Sequence, residues 1–328
     1  MTPEKLKKGD LIKIVSLSCS AKTVPEDVLN LAKSRFEAMG LIVEYADNAF
    51  VLDSLGSSDP TLRAKDFMDA IIDPNVKAIM TPRGGFAANE VLDYLNFDLI
   101  AQNPKIICGF SDITAIANAI FAKTGLVCYS GPNFGNFGMQ KGVNYFIEYF
   151  KKCLFQAEHF EVLPSDLWSD DFWKRDQINR KFNQNFGPVC LQSGQAEGEI
   201  VGANLCTFNL LQGTEYMPDL TDKILFLEED AVFGDHFDVF FDRNLESLLQ
   251  MPGAKSLKAL VIGRFESRAN IDLEKLKYII SKKPELALIP IAYGFDFGHS
   301  MPMFTFPIGG SCKLDFSDSD VKLELLKF

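Results

Sequence analysis

Histidine is scarce in this chain: 328 residues hold three, beside two tryptophans and seven cysteines. Any reaction that needs an imidazole near neutral pH is therefore confined to His159, His236 or His299. The cysteines are odd in number, widely spaced and free of any CxxC pair, and Cys108, Cys128, Cys190 and Cys206 lie in apolar contexts. That pattern fits reduced core thiols and offers neither a zinc site nor a disulfide frame, so no metal is expected. Basic residues are also short, 33 Lys and Arg against 44 Asp and Glu for a formal charge of −11. A nucleic-acid partner is excluded on that balance, because phosphate binding needs clustered cations. Long apolar runs are absent too, and none nears the ~20 residues of a membrane span. The opening Met1-Thr2-Pro3-Glu4-Lys5-Leu6-Lys7-Lys8-Gly9-Asp10 is polar and lacks a leader's apolar stretch, so no membrane partner and a cytoplasmic location are expected.

What is present is an ordinary globular composition, 47% hydrophobic and 23% charged, at a length that predicts two domains. Apolar runs at 11–17, 41–45, 76–80, 105–110 and 127–129 alternate with helical patterns at 25–38, 61–72, 87–94 and 113–122. This is the signature of a parallel sheet with crossover helices, whose ligands bind beyond the carboxyl ends of the strands. An aromatic, weakly periodic stretch at 164–188 reads as a long connection and substrate loop. Beyond it, short strands at 198–201, 224–228, 259–263, 289–292, 304–306, 311–316 and 321–325, with helices at 236–250 and 273–282, predict a smaller domain. The expected organisation is an α/β fold in three parts: residues 1–163 as the nucleophile-bearing domain, 164–188 as linker, and 189–328 as a β-rich domain carrying an acid and a histidine.

The most informative segment is Gly109-Phe110-Ser111-Asp112-Ile113-Thr114, which joins a strand to a helix. Such a turn lifts a hydroxyl out of the sheet and sets a helix N-terminus and a free N–H beside it, which suits a nucleophile; a serine before a helix can equally be a simple N-cap. Of the histidines, His159 and His236 sit among charged residues and read as solvated or capping. His299, in Gly294-Phe295-Asp296-Phe297-Gly298-His299-Ser300-Met301-Pro302, follows a strand on a glycine-rich loop and could reach another domain. Glu228 ends the apolar run Ile224-Leu225-Phe226-Leu227 and could orient that imidazole, whereas Glu229 and Asp230 look like the start of an exposed loop. Arg83-Gly84-Gly85-Phe86 could turn N–H groups toward an oxyanion, with the Asp112 N–H as second donor, or form a phosphate nest. Arg83 could pair with a substrate carboxylate. Cys108 lies inside a strand, so serine and not cysteine occupies the nucleophile turn.

In chain order these segments resemble the LD-carboxypeptidase family of serine peptidases, which includes muramoyl-tetrapeptide carboxypeptidases and microcin C immunity proteins. The likeness rests on Leu6-Lys7-Lys8-Gly9-Asp10, the Arg83 and Ser111 turns, Gly202-Ala203-Asn204-Leu205, the Glu228 strand end, and the His299 loop with Phe306-Pro307-Ile308-Gly309-Gly310. It implies Ser111 as nucleophile, His299 as general base, Glu228 as its orienting acid, and Gly85 and Asp112 amides as the oxyanion hole. It also implies a Rossmann-like N-terminal domain, a β-rich C-terminal domain, a small peptide-like substrate, no cofactor, and commonly a homodimer. Arg83, Gly84, Asn204, Trp168 and Trp173 are the expected substrate-binding residues. The aromatic loop resembles the microcin-immunity branch, where a ring can stack on a base; both tryptophans could instead only pack the domain junction. Two substrates fit, a murein tetrapeptide and a peptidyl-nucleotide. The competing reading is a non-catalytic protein that holds a nucleotide or phosphate on the glycine turn.

Overall fold

The computed structural model describes residues 1–328, the side chain of Phe233 excepted. The first half folds as its alternation predicts. Strands β1 (Leu11–Ile14), β2 (Ile42–Tyr45), β3 (Val76–Met80), β4 (Ile106–Gly109) and β5 (Cys128–Ser130) run parallel in the spatial order β5-β4-β3-β1-β2. β4 is buried at every position, as a strand covered by helices on both faces must be. The Asp59 carboxylate caps the helix Pro60–Ile72 by accepting from the Thr61 N–H at 2.8 Å, and Pro60 at the first helical position loses no hydrogen bond.

The remaining strands are β6 (Phe160–Glu161), β7 (Leu167–Trp168), β8 (Asn183–Gln184), β9 (Val189–Gln192), β10 (Gly194–Asn204), β11 (Ile224–Glu228), β12 (Ala259–Gly263), β13 (Ile291–Phe295), β14 (Phe306–Ile308), β15 (Ser311–Ser317) and β16 (Asp320–Lys327). Among the described residues β10-β11-β12-β13 form a parallel centre in an eight-stranded sheet, flanked by antiparallel β15, β16 and β6 on one side and β9 on the other. The result is the α/β architecture expected, with a strand-rich second half.

Two strands cross the expected borders. β14, expected at 304–306 within the second sheet, instead pairs antiparallel with β5 as an edge of the first. An edge tolerates Pro307, which has no N–H to donate. β6, from before residue 164, joins the second sheet through β16. The helix Asn144–Phe155 also lay outside the expected set, although its buried Phe146, Tyr149, Phe150, Cys153 and Leu154 follow helical spacing. The expected helical segment at 87–94 forms a 3₁₀-helix over Ala88–Tyr94.

The two sheets are clamped together behind Ser111. The helix Ile113–Thr124 is buried from Ile113 through Ile120 and contacts strands of both. Asn118 Nδ2 donates to the Gly202 carbonyl at 2.8 Å, and Gly202 N–H donates back to Asn118 Oδ1 at 3.0 Å. Asn204 N–H donates to Thr114 Oγ1 at 3.1 Å. Each such buried bond is worth on the order of 1 kcal/mol net, and losing one partner costs more.

Candidate active site

The carboxyl ends of both parallel strand sets meet at one cleft. From β4 the chain turns at Ser111 with φ 63°, a left-handed conformation that a non-glycine residue holds only under local strain. The turn projects the hydroxyl, half-buried, toward the second sheet. Asp112 at its foot is buried, and its carboxylate accepts from Ser18 Oγ at 2.5 Å and from the Ala87 and Ala88 N–H groups at 2.8 and 2.7 Å. This carboxylate ties the Ser18 turn and the end of the glycine turn to the base of the Ser111 turn. Sequence reading assigned Asp112 only its backbone; nothing in the spacing announces the side chain's task.

From the second sheet, Glu228 at the end of β11 is buried, and the loop after β13 carries His299. His299 Nδ1 lies 2.7 Å from Glu228 Oε2 and Nε2 lies 3.1 Å from Ser111 Oγ. With Nδ1–H donating to Glu228, Nε2 is left to accept the serine proton. The ring also packs on Phe110, with centroids 5.3 Å apart. Gly298 before it has φ +107°, and a Cβ there would sit 2.7 Å from Glu228 Oε2. Glycine is thus required for imidazole and carboxylate to meet. The other histidines, His159 and His236, are exposed and take no part in this line.

Burial disfavours the charged His299 ring, but the charge and hydrogen bond of Glu228, with Asp230 and Glu266, outweigh it and raise the pKa to about 9. Glu229 corrects the expectation of an exposed loop. It is 2% exposed, accepts from Cys206 N–H at 2.9 Å, and burial followed by the charges of Glu228 and Asp230 raise its pKa to about 7.

On the facing wall, Gly84 is pressed against the serine: a Cβ there would lie 2.9 Å from Ser111 Cβ. The N–H groups of Gly85 and Asp112 find no acceptor within the chain among the described residues. The cleft, about 240 Å³, is lined by the Arg83 to Phe86 turn, Ser111, His299, Trp173, Lys174 and Asp230. Desolvation, then the charge of Arg83, lower the Lys174 pKa to about 8. Neither cation forms an ion pair within the chain among the described residues, and the Lys174 ammonium lies over the Trp173 ring, 5.5 Å from its centroid.

The structure gathers most of the expected site residues and separates two. Ser111, Glu228, His299, Gly84, Gly85, Asp112, Arg83 and Trp173 converge. Asn204 does not reach the cleft. It is buried at the end of β10, where its Nδ2 donates to Glu228 Oε1 at 3.0 Å and its Oδ1 accepts from Thr207 N–H at 3.1 Å, so it holds the carboxylate and caps the next helix. Trp168 lines a different cleft, stacked on the Arg264 guanidinium at 5.2 Å. The 164–188 stretch is better built than a plain connection. β7 and β8 pair, and Ser169 and Met301 exchange two backbone bonds of 2.7 Å, tying the loop to the His299 segment.

Family models decide the relationship: the LD-carboxypeptidase N-terminal domain matches residues 12–131 and the C-terminal domain residues 197–314. The chain belongs to the LD-carboxypeptidase family. YocD of Bacillus subtilis (strain 168), provisionally named a carboxypeptidase, is 46% identical over 315 residues, 96% of each chain. The microcin C7 self-immunity protein MccF of Escherichia coli is 31% identical over 275 residues, 80% of this chain and 77% of its own. Among solved structures, an MccF-like protein from Bacillus anthracis str. Ames superimposes with TM-score 0.99 at 48% identity, with both chains wholly covered. MccF in complex with aspartyl sulfamoyl adenosine gives 0.87 at 26% identity, covering 100% of this chain and 99% of that one. This LD-carboxypeptidase family member is thus a hydrolase of the carboxypeptidase class. No helix among the described residues is long and apolar enough to cross a membrane.

Proposed function

We propose that this protein is a serine peptidase that hydrolyses an amide bond near the end of a small peptide-like substrate. The observation that carries the reading is the line Ser111–His299–Glu228, joined at 3.1 and 2.7 Å from three elements distant in sequence. Ser111 Oγ attacks the carbonyl carbon while His299 Nε2 takes its proton, and Glu228 stabilises the imidazolium. The Gly85 and Asp112 N–H groups receive the oxyanion, a donor of this kind being worth ~3 kcal/mol. His299 returns the proton to the leaving amine, the C–N bond breaks, and water repeats the sequence to release the acyl group.

The substrate carries an anion beside the scissile bond, for which Arg83 and Lys174 are the docking cations. A peptidyl-nucleotide supplies that anion as phosphate and its base as a partner for the Trp173 face; a murein tetrapeptide supplies only a terminal carboxylate. Trp173 on the cleft and the MccF complex with an aminoacyl-nucleoside analogue favour the first. A homodimer, which the family likeness implies, completes the reading.

The test is product analysis by mass spectrometry after incubating wild-type and Ser111→Ala protein with a peptidyl-adenylate analogue and with murein tetrapeptide. Wild type should cleave the first, and the variant should lose at least ~10⁴-fold of that rate. Preference for the tetrapeptide would reverse the substrate assignment, and equal turnover by the variant would reject the mechanism. Binding without turnover by wild type would leave the phosphate-nest alternative standing.

A further inference from the structure

The cleft holds one carboxylate that the hydrolytic line does not use. Asp230 is tethered by one oxygen, since Oδ1 accepts from the Val232 N–H at 2.9 Å. Its Oδ2 lies 3.8 Å from His299 Nε2, too far for a hydrogen bond, and accepts none within the chain among the described residues. The side chain is only 14% exposed, and a carboxylate oxygen so placed is costly unless something donates to it. Glu228 and Asp230 both face a single imidazole, so this wall stays negative when the ring is neutral, the state in which His299 can act as base. The opposite wall, at Arg83 and Lys174, is positive.

Resting on the hydrolase reading above, we propose that Asp230 Oδ2 docks a substrate ammonium adjacent to the scissile carbonyl, so that among nucleotide substrates the enzyme prefers an aminoacyl group with a free α-amine to a peptidyl group, whose α-nitrogen is uncharged and which it still cleaves. Standard bond lengths put an α-nitrogen about 2.5 Å from its carbonyl carbon, and that carbon must approach the nucleophile to ~3–3.5 Å. Ser111 Oγ and Asp230 Oδ2 flank the same imidazole nitrogen, at 3.1 and 3.8 Å. One small group can therefore reach both. A cation seated there also disfavours the protonated ring, so the correct substrate frees the base it needs. Together with Arg83 and Lys174 the cleft then reads both ends of a zwitterion.

The experiment uses Ser111→Ala protein, which binds without cleaving, and titrates it calorimetrically with aspartyl sulfamoyl adenosine and with the N-acetylated form of the same compound. The free amine should bind at least ~10-fold tighter, the range of one charge-assisted contact, and Asp230→Asn in that background should bring the two within ~2-fold. Asp230→Glu, which keeps the charge, should retain the preference, and thermal melting of each variant separates misfolding from lost recognition. Equal affinity of the parent for both compounds, binding of neither, or an equal loss for both in Asp230→Asn would overturn the inference. The hydrolase reading is judged separately by the product assay.

Discussion

The two walls of the cleft are made differently. On the first sheet the parts nearest the hydroxyl are uncharged and geometric, the Arg83 cation lying on the same glycine turn: a strained Ser111, a glycine pressed against it, and two N–H groups with no other acceptor. On the second they are an imidazole and the acids around it, Glu228, Glu229 and Asp230, and burial together with these neighbours sets the protonation of His299 and Glu229. The first wall needs only close approach and fixed backbone angles, which helix Ile113–Thr124 and the Asp112 carboxylate secure. The second needs carboxylates kept out of water yet paired, which is why Asn204 is spent on Glu228 and a backbone N–H on Glu229. Damage to one wall should therefore move rate alone, and damage to the other should move the pH dependence as well.

The sharpest break is Glu228→Gln, which preserves shape but removes the charge facing His299 Nδ1. Turnover should fall ~10⁴-fold by steady-state assay, the scale seen when a triad acid is neutralised. A loss below tenfold would mean that Glu228 only fills space. Next, Gly84→Ala places a methyl 2.9 Å from Ser111 Cβ and should lower kcat ~10²-fold, with the pH profile unchanged and melting temperature shifted by no more than a few degrees. A moved pH limb would blur the distinction between the walls.

The most diagnostic effect is in wild type itself. If His299 is the base proposed, it acts only when neutral, so its pKa of about 9, set against burial by Glu228, Asp230 and Glu266, predicts a kcat/KM that falls about tenfold per pH unit on the acid side of that value, where the Lys174 docking cation is also charged. Folding stability has the opposite sign. The folded pKa lies above the ordinary 6.5, so His299 stabilises the fold fully below about pH 6.5, and that contribution fades as pH rises through about 9. Activity and melting temperature measured over pH 6–10 should therefore trend in opposite directions; parallel trends would refute the assignment of His299 as the raised group.

Much of this site was legible in the chain because its parts sit at element ends. Ser111 between an apolar run and a helix, Glu228 closing another run, and His299 on a glycine loop each carry a local signal of backbone geometry or strand termination. Asn204 carried an ambiguous signal. A polar residue at a strand end looks the same whether it faces a ligand or a neighbouring carboxylate, and only the parallel β10–β11 register, which sets it opposite Glu228, separates the two. Glu229 misled for the same reason: an acidic triplet reads as exposed until Cys206 and Asn204 are found packed over it. Trp168 and Trp173, five residues apart, could not be told from one another before the β7–β8 pairing turned them into separate clefts.

Hydrophobic periodicity and turn chemistry, which act over a few residues, were enough by themselves to determine the alternating strands and helices and to mark the serine turn, the strand-end carboxylate and the loop imidazole as candidates, whose roles only the family resemblance implied. Tertiary structure alone decided which polar groups lose water and to whom they then bond: the exchange of β14 into the first sheet, the burial of Glu229, Asn204 on Glu228, and Asp230 left with a free oxygen in the cleft. Those outcomes depend on desolvation and on contacts between residues tens to hundreds of positions apart, and no local pattern encodes them.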